Sequence, residues 1–373
     1  MSWQIQLKES VESIQDVAQA IVISSREKTR LKKVVEHHPM RVPPYYLSLI
    51  DPCDPDDPVR AMAVPSVDEL NLMGSYDTSG EKDNTRMPGL QHKYSQTAVI
   101  ISTNRCAMYC RHCFRKRLVG LPNDELLRRF DAAASYIRQH SEINNVLVSG
   151  GDPFVLSTSL IARFLEMLSD IRHLSFIRFG SRIPVTLPHR IIDDTDFLQL
   201  LRRHSRADRR LFVVTQFNHP REITDEAVAA IDCLLRAGVV VNNQSVLLRR
   251  VNDNPESLAA LQNGLVRIGV NPYYVFQCRP VKRVKHHFQV PLHQAYEIVE
   301  EAKRMLNGHS KRFRLVMSHK KGKIEIVGKK GDEMFFKFHQ AKDPANSGKF
   351  FSRMVHPQEG WLHDNEESFS RAG

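Results

Sequence analysis

Cys106, Cys110 and Cys113 stand at C-x3-C-x2-C spacing in Asn104-Arg-Cys-Ala-Met-Tyr-Cys-Arg-His-Cys-Phe-Arg-Lys-Arg117, just after an apolar, β-branched run at 97–102. The other cysteines are isolated: Cys53 in a polar Asp-Pro loop, Cys233 on the apolar face of an expected helix, and Cys278 at the end of an expected strand. Four thiolates saturate a structural zinc or a 4Fe-4S cluster, whereas three leave one iron with an open coordination position where a small molecule can bind. The competing assignment is a zinc ion completed by His112. It is disfavoured because His112 lies inside the final C-x2-C, where closing a tetrahedron with its neighbours is strained. The three cysteines therefore predict a catalytic 4Fe-4S cluster.

A second group follows the next apolar run, at Ser149-Gly-Gly-Asp-Pro153. Glycines at a strand end let backbone approach a ligand closely, and free peptide groups there can hydrogen-bond it. A two-glycine turn is ordinary by itself, so this signal gains meaning only beside the cysteines.

These residues need a scaffold, and the hydrophobic pattern supplies one. Runs rich in β-branched and apolar residues recur at 97–102, 145–148, 176–179, 211–216, 239–246 and 272–277. Amphipathic stretches of helical period lie between them, at 124–139, 159–171, 194–204, 224–237 and 256–268. Spacings of about 30 residues suit right-handed βαβ units. Six such units predict an α/β fold, a partial (β/α)6 TIM-like barrel with its site at the carboxyl ends of the strands. The cysteine loop follows the first strand and so falls on that face. Residues 1–92 read as an extension, helical over 10–37 and irregular over 39–87. Residues 93–290 form the barrel, and 291–373 hold a helix at 292–306, a short strand at 313–317, a basic stretch and a polar tail from Asp332.

The chain of 373 residues carries a formal charge of +11, concentrated at 111–117, 202–210, 279–287 and 311–330. Anionic ligands are the expected partners. The basic runs lack interleaved stacking aromatics, so nucleic acid is not the expected partner. The start, Met1-Ser-Trp-Gln, has no charged-then-apolar leader, and no apolar run approaches the ~18 residues of a membrane span. A reducing cytoplasm is the expected compartment.

The cysteine spacing resembles that of radical S-adenosylmethionine (SAM) enzymes, in which SAM chelates the open iron. The resemblance narrows through Ser149-Gly-Gly-Asp152, Arg182-Ile-Pro-Val-Thr-Leu-Pro-His-Arg-Ile191, Phe217-Asn-His-Pro-Arg-Glu-Ile-Thr224, Asn243-Gln-Ser-Val-Leu-Leu248, Val251-Asn-Asp253 and Pro272-Tyr-Tyr-Val-Phe-Gln-Cys278. Together with the cysteine run these blocks resemble lysine 2,3-aminomutase over most of 39–326. The resemblance implies an isomerase that moves an amino group from the α to the β carbon of an amino acid, with SAM and pyridoxal 5′-phosphate (PLP) as cofactors. It also implies a one-electron donor such as flavodoxin or ferredoxin, and leaves a homo-oligomer open. By position, Gly150, Gly151, Asp152 and Gln244 correspond to SAM contacts and Arg115 to the arginine gripping the substrate carboxylate. Lys323, after Gly322, aligns best with the lysine that holds PLP in a C-terminal element, with Lys320 and Lys321 as alternatives. The segment Lys93-Tyr94-Ser-Gln-Thr97 lacks the arginines that help hold the PLP phosphate in the lysine enzymes, which leaves Lys93 to serve as one cation, while Thr97 carries no charge.

Two departures bear on substrate. The lysine enzymes place an acid directly after the strand-end Gln-Cys pair, where this chain has Arg279, and no Asp or Glu occurs over 311–322. A cationic side chain would meet repulsion there, while an anionic or neutral polar one would be accepted. The cysteine-rich C-terminal zinc element of those enzymes is also missing. The alternative reading keeps the cluster and SAM but drops PLP, giving a radical enzyme that modifies a protein or RNA.

Overall fold

The computed structural model describes residues 3–363. One 12-stranded sheet runs in sequence order: β1 (Thr85–Met87), β2 (Leu90–Tyr94), β3 (Thr97–Thr103), β4 (Asn145–Gly150), β5 (Phe176–Gly180), β6 (Arg210–Thr215), β7 (Val240–Leu247), β8 (Asn271–Gln277), β9 (Arg314–His319), β10 (Gly322–Lys330), β11 (Glu333–Ala341) and β12 (Phe350–Met354). β3 to β9 are parallel, and the additions at both ends are antiparallel.

Helices cross between the parallel strands at Phe130–Gln139, Thr158–Ser169, Thr195–His204, Asp225–Arg236, Pro255–Arg267 and Leu292–Arg304. Several begin on side-chain caps from Ser157, Asp194, Thr224 and Asn254, each accepting an otherwise orphaned backbone N–H. Alternate strand residues such as Val146, Val148, Ile177, Phe179 and Val241 are buried with helix residues Phe164, Leu165, Phe197 and Ile231 in one core. The opposite strand face carries the polar and aromatic groups of the site.

The sheet is open in pairing but curled in space. The Lys93 ammonium, on β2, donates to the His319 carbonyl on β9 at 2.5 Å. Seven strand spacings of about 4.8 Å would put these strands some ~34 Å apart in a flat sheet. The sheet is therefore rolled, bringing β2 close to β9.

Some boundaries differ from expectation. The extension forms separate helices at Trp3–Lys8, Ile14–Ala20 and Ser25–His37 instead of one stretch over 10–37. The helix expected from Asp124 starts at Phe130, because the Leu127 amide bonds the Ile101 carbonyl of β3 and Glu125 pairs with Arg117. The larger correction is the segment from Asp332. Up to Met354 it is not a polar tail but part of the sheet, with Met334, Phe336, Phe338 and Phe351 buried against Ile324, Ile326 and the helix Leu292–Arg304. The end of that tail lies outside the described residues. No described helix is long and apolar enough to cross a membrane.

Candidate active site

The cysteine loop leaves β3 and is clamped by the end of β4. Gly151 and Asp152 donate their amides to the carbonyls of Thr103 (2.6 Å) and Arg105 (2.8 Å). Added Cβ atoms at Gly150 and Gly151 would lie 2.5 Å from the Thr103 oxygen and 2.2 Å from the Arg105 oxygen, and Gly150 has φ +118°. Only glycine permits this approach. Behind the loop, Glu69 is fully buried, chelated by Arg111 (2.8 and 2.7 Å) and bonded by Lys116 (2.6 Å). Burial alone would raise the Glu69 carboxyl, yet the two cations hold it at about 2. Arg182 donates to the Cys110 sulfur at 3.0 Å, its guanidinium fixed by the Gln216 carbonyl (2.9 Å) and by Glu222.

The three sulfurs do not all lie within 4.8 Å of one another, with or without a nitrogen of His112. A single zinc, at about 2.3 Å from each sulfur, would hold its ligands closer. The His112 Nε2 instead faces the Asn218 side-chain amide at 3.2 Å, and its buried Nδ1 has no protein partner. The wider cysteine triad fits a multi-iron cluster. Burial pushes the thiol of Cys113 up to about 11 and raises that of Cys106 well above the ordinary thiol range, so deprotonation there depends on a bound metal.

Asp152 spends both carboxylate oxygens on the protein. It accepts from the Ser181 hydroxyl (2.7 Å) and from the amides of Phe154 (3.0 Å) and Arg182 (2.6 Å), while burial raises it to about 6. Gln244 is the register partner of Tyr274 on β7 and β8. Arg115 reaches from the cysteine loop to Glu81 (3.1 Å), the Ser149 hydroxyl (3.0 Å) and the Gly150 carbonyl (3.3 Å).

Lys323 sits second on β10, paired in register with Ser318 of β9. Its ammonium lies 4.2 Å from the Tyr274 ring centroid and 5.7 Å from that of Phe276. Burial, then Arg178, Arg279 and Lys93, lower its pKa to about 7. Gly322 is needed for the tight pairing, since a Cβ would fall 2.2 Å from the Gln340 oxygen. Of the alternatives, Lys320 is exposed in the β9–β10 turn, and Lys321 bonds the His319 ring through its backbone amide. The structure brings Lys323 to the aromatic floor of Tyr274 and Phe276.

Three further cations surround that floor. Lys93 also donates to the Ser79 carbonyl (3.2 Å), and burial together with Arg279 and Lys342 lowers it to about 7. Arg279 donates to the Ser318 hydroxyl (2.8 Å) and lies 4.2 Å from the Phe114 ring centroid, whose ring also carries Arg115 at 4.7 Å. Its Nη1 is buried without a protein partner, and burial lowers its pKa to about 10. Arg178, on β5, donates to the Asn145 side chain (2.5 Å) and leaves a buried Nε unpartnered. Sequence reasoning missed Arg178. Its signal was an arginine interrupting the apolar strand run Phe176-Ile-Arg-Phe179.

The fold, the open three-cysteine site and the glycine clamp define an iron–sulfur radical enzyme, and residues 100–261 match the Radical SAM superfamily. The chain is 38% identical to L-lysine 2,3-aminomutase of Clostridium subterminale over 83% of this chain and 72% of that one. It is 35% identical to glutamate 2,3-aminomutase of Clostridioides difficile over 79% and 69%. A protein of Aquifex aeolicus provisionally named as an L-lysine 2,3-aminomutase is 40% identical over 92% of each chain. The protein belongs to the radical SAM 2,3-aminomutase family, whose members are isomerases. Membership implies SAM and a 4Fe-4S cluster as cofactors.

Proposed function

We propose that the protein is a PLP-dependent 2,3-aminomutase whose substrate is an α-amino acid with an anionic side chain, such as glutamate, and not free lysine. The observation that carries this reading is the pair of guanidiniums on one ring. Arg115 and Arg279 flank Phe114, and each keeps hydrogen-bonding capacity: the buried Nη1 of Arg279 has no protein partner, and Nη2 of Arg115 has none among the described residues. Two such forks suit the two carboxylates of a dicarboxylic amino acid. Lysine would bring its ammonium to Arg279.

The donor set also suits PLP. Lys323 supplies an amine that is substantially neutral at physiological pH, and Lys93, Arg178 and the barrel floor supply cations and aromatic surface for a phosphorylated ring. When bound, PLP would supply a carbonyl that holds the migrating nitrogen, and SAM a radical source on the cluster of Cys106, Cys110 and Cys113. In this reading Arg115 orients the substrate carboxylate, and Glu81 holds Arg115 in place. Gly150 and Gly151 bring backbone to the SAM site, with Asp152 fixing their turn and Gln244 facing the same interior. One electron would come from a flavodoxin- or ferredoxin-like donor.

The test is turnover by anaerobically reconstituted enzyme with SAM, PLP and reductant, offered glutamate, aspartate, glutamine, arginine and lysine in turn. Formation of β-glutamate or another acidic β-amino acid supports the reading. Turnover of lysine in preference to all of these would overturn it.

A further inference from the structure

On the other face of the sheet from this pocket, His92, His140 and Glu142 each present a ligand atom within 4.8 Å of the other two. We propose that they form a second metal site, binding a single Zn2+ ion and separate from the cysteines. The inference goes beyond the aminomutase reading and does not depend on it.

The three groups come from different parts of the fold. His92 is on β2, opposite Ala98 of β3. His140 caps the helix Phe130–Gln139, and Glu142 lies in the turn before β4. Two imidazoles and one carboxylate are a set that zinc accepts, with further positions left to water. His140 and Glu142 are about one-third and one-half exposed in their side chains (35% and 47%), so an ion has a route in from solvent.

The His92 ring is already oriented for such a role. Its Nε2 lies 3.0 Å from the Ser95 carbonyl, which can only accept, so Nε2 carries the proton and Nδ1 holds the lone pair. A histidine whose second nitrogen donates to a backbone carbonyl is the arrangement that fixes the tautomer of metal-bound imidazoles. The Tyr136 hydroxyl, 3.0 Å from Nδ1, now donates to that lone pair, and the Tyr136 ring stacks on His140 at 4.1 Å between centroids. His140 Nδ1 and Glu142 share a hydrogen bond of 2.8 Å. A zinc ion would replace that shared proton and the tyrosine contact with three direct bonds. Because strand side chains alternate, an ion on His92 would brace the strand whose next residue, Lys93, enters the pocket.

The test uses cluster-reconstituted protein freed of loosely bound metal and titrated anaerobically with Zn2+ against a chromophoric chelator. The expected result is one zinc per chain beyond the iron, with binding weakened at least about tenfold in His140→Ala and in Glu142→Gln, and iron content unchanged. Histidine 140 is on the surface and outside the pocket, so its loss leaves the fold available for comparison. No zinc uptake beyond the iron, or uptake unaltered in both variants, would overturn the proposal whether or not the enzyme is an aminomutase.

Discussion

The amine of Lys323 should titrate near pH 7, and its reactivity can be measured without any turnover. An ordinary lysine has a pKa of about 10.4, so at pH 7.5 about one molecule in a thousand carries a free amine. With its pKa at about 7, roughly three-quarters of the Lys323 side chains would be neutral at that pH. The difference of about 3.5 units corresponds to an upper bound of about 5 kcal/mol against the charged form, with burial the largest single cause, followed by Arg178, Arg279 and Lys93. The assay is competitive trace labelling of PLP-free protein across pH, with the Lys323 peptide quantified by mass spectrometry. Solvated lysines in the same digest serve as the internal standard. The Lys323 midpoint is expected near 7, broadened by its coupling to Lys93, which shifts over the same range. Replacing Arg279 with glutamine should raise that midpoint by less than about one unit, since burial remains. A midpoint coincident with the solvated lysines would mean that Lys323 is not desolvated, and the reason for assigning it to PLP would be lost.

Arg279→Asp should lower kcat/KM for an acidic substrate by at least about 100-fold and raise the relative rate with lysine, read from product ratios in mixed-substrate assays. Glu69→Ala leaves Arg111 and Lys116 buried without their counter-ion, so chemical denaturation should show a loss of about 3–5 kcal/mol, and iron retention should fall. In the wild type, the stabilisation from Glu69 is present above its unfolded pKa of about 4.3 and is lost as pH falls toward about 2, so acid unfolding should steepen in that window. Arg182→Met removes a cation bonded to Cys110 and should shift the cluster midpoint negative by tens of millivolts in an EPR-monitored titration, with Arg182→Lys partly restoring it. An unchanged potential in Arg182→Met would show that Glu222 fully offsets that charge.

The parts of the fold legible in the sequence were those where local preference and tertiary burial agree. β3 to β8 are β-branched runs between capped amphipathic helices, and each was placed to within a residue or two. β10 to β12 escaped notice because their outward positions are so charged that the composition reads as polar. The alternation in Glu333-Met-Phe-Phe-Lys-Phe338 was present, but its partner strand lies in a segment of similar appearance. The cysteines were legible from spacing alone. Lys323 was not, since five lysines occur between Lys320 and Lys330 and only resemblance distinguished one of them. What singles it out physically is the approach of Tyr274 and Phe276, residues some fifty positions away. The side-chain role of Asp152 was not legible either, because its bonds to Ser181 and Arg182 come from a strand end some thirty positions away.

The charges in the pocket explain one another. Arg178, Arg279 and Lys93 depress the protonation of Lys323, Arg279 depresses that of Lys93, Arg115 is tied to Glu81, and Glu81 serves Arg117 as well. Such an excess of buried cations is unfavourable in the free protein and is relieved by anions. A phosphate and two carboxylates would supply that relief, so affinity for the ligands and the neutral state of Lys323 have a common origin. In the proposed reading, the same crowding that favours the unprotonated amine would also favour binding of the cofactor's phosphate. A lysine substrate would add another positive charge to this set, so under the proposed reading selectivity against it would reside in the whole pocket, with Arg279 as the residue nearest to the added charge.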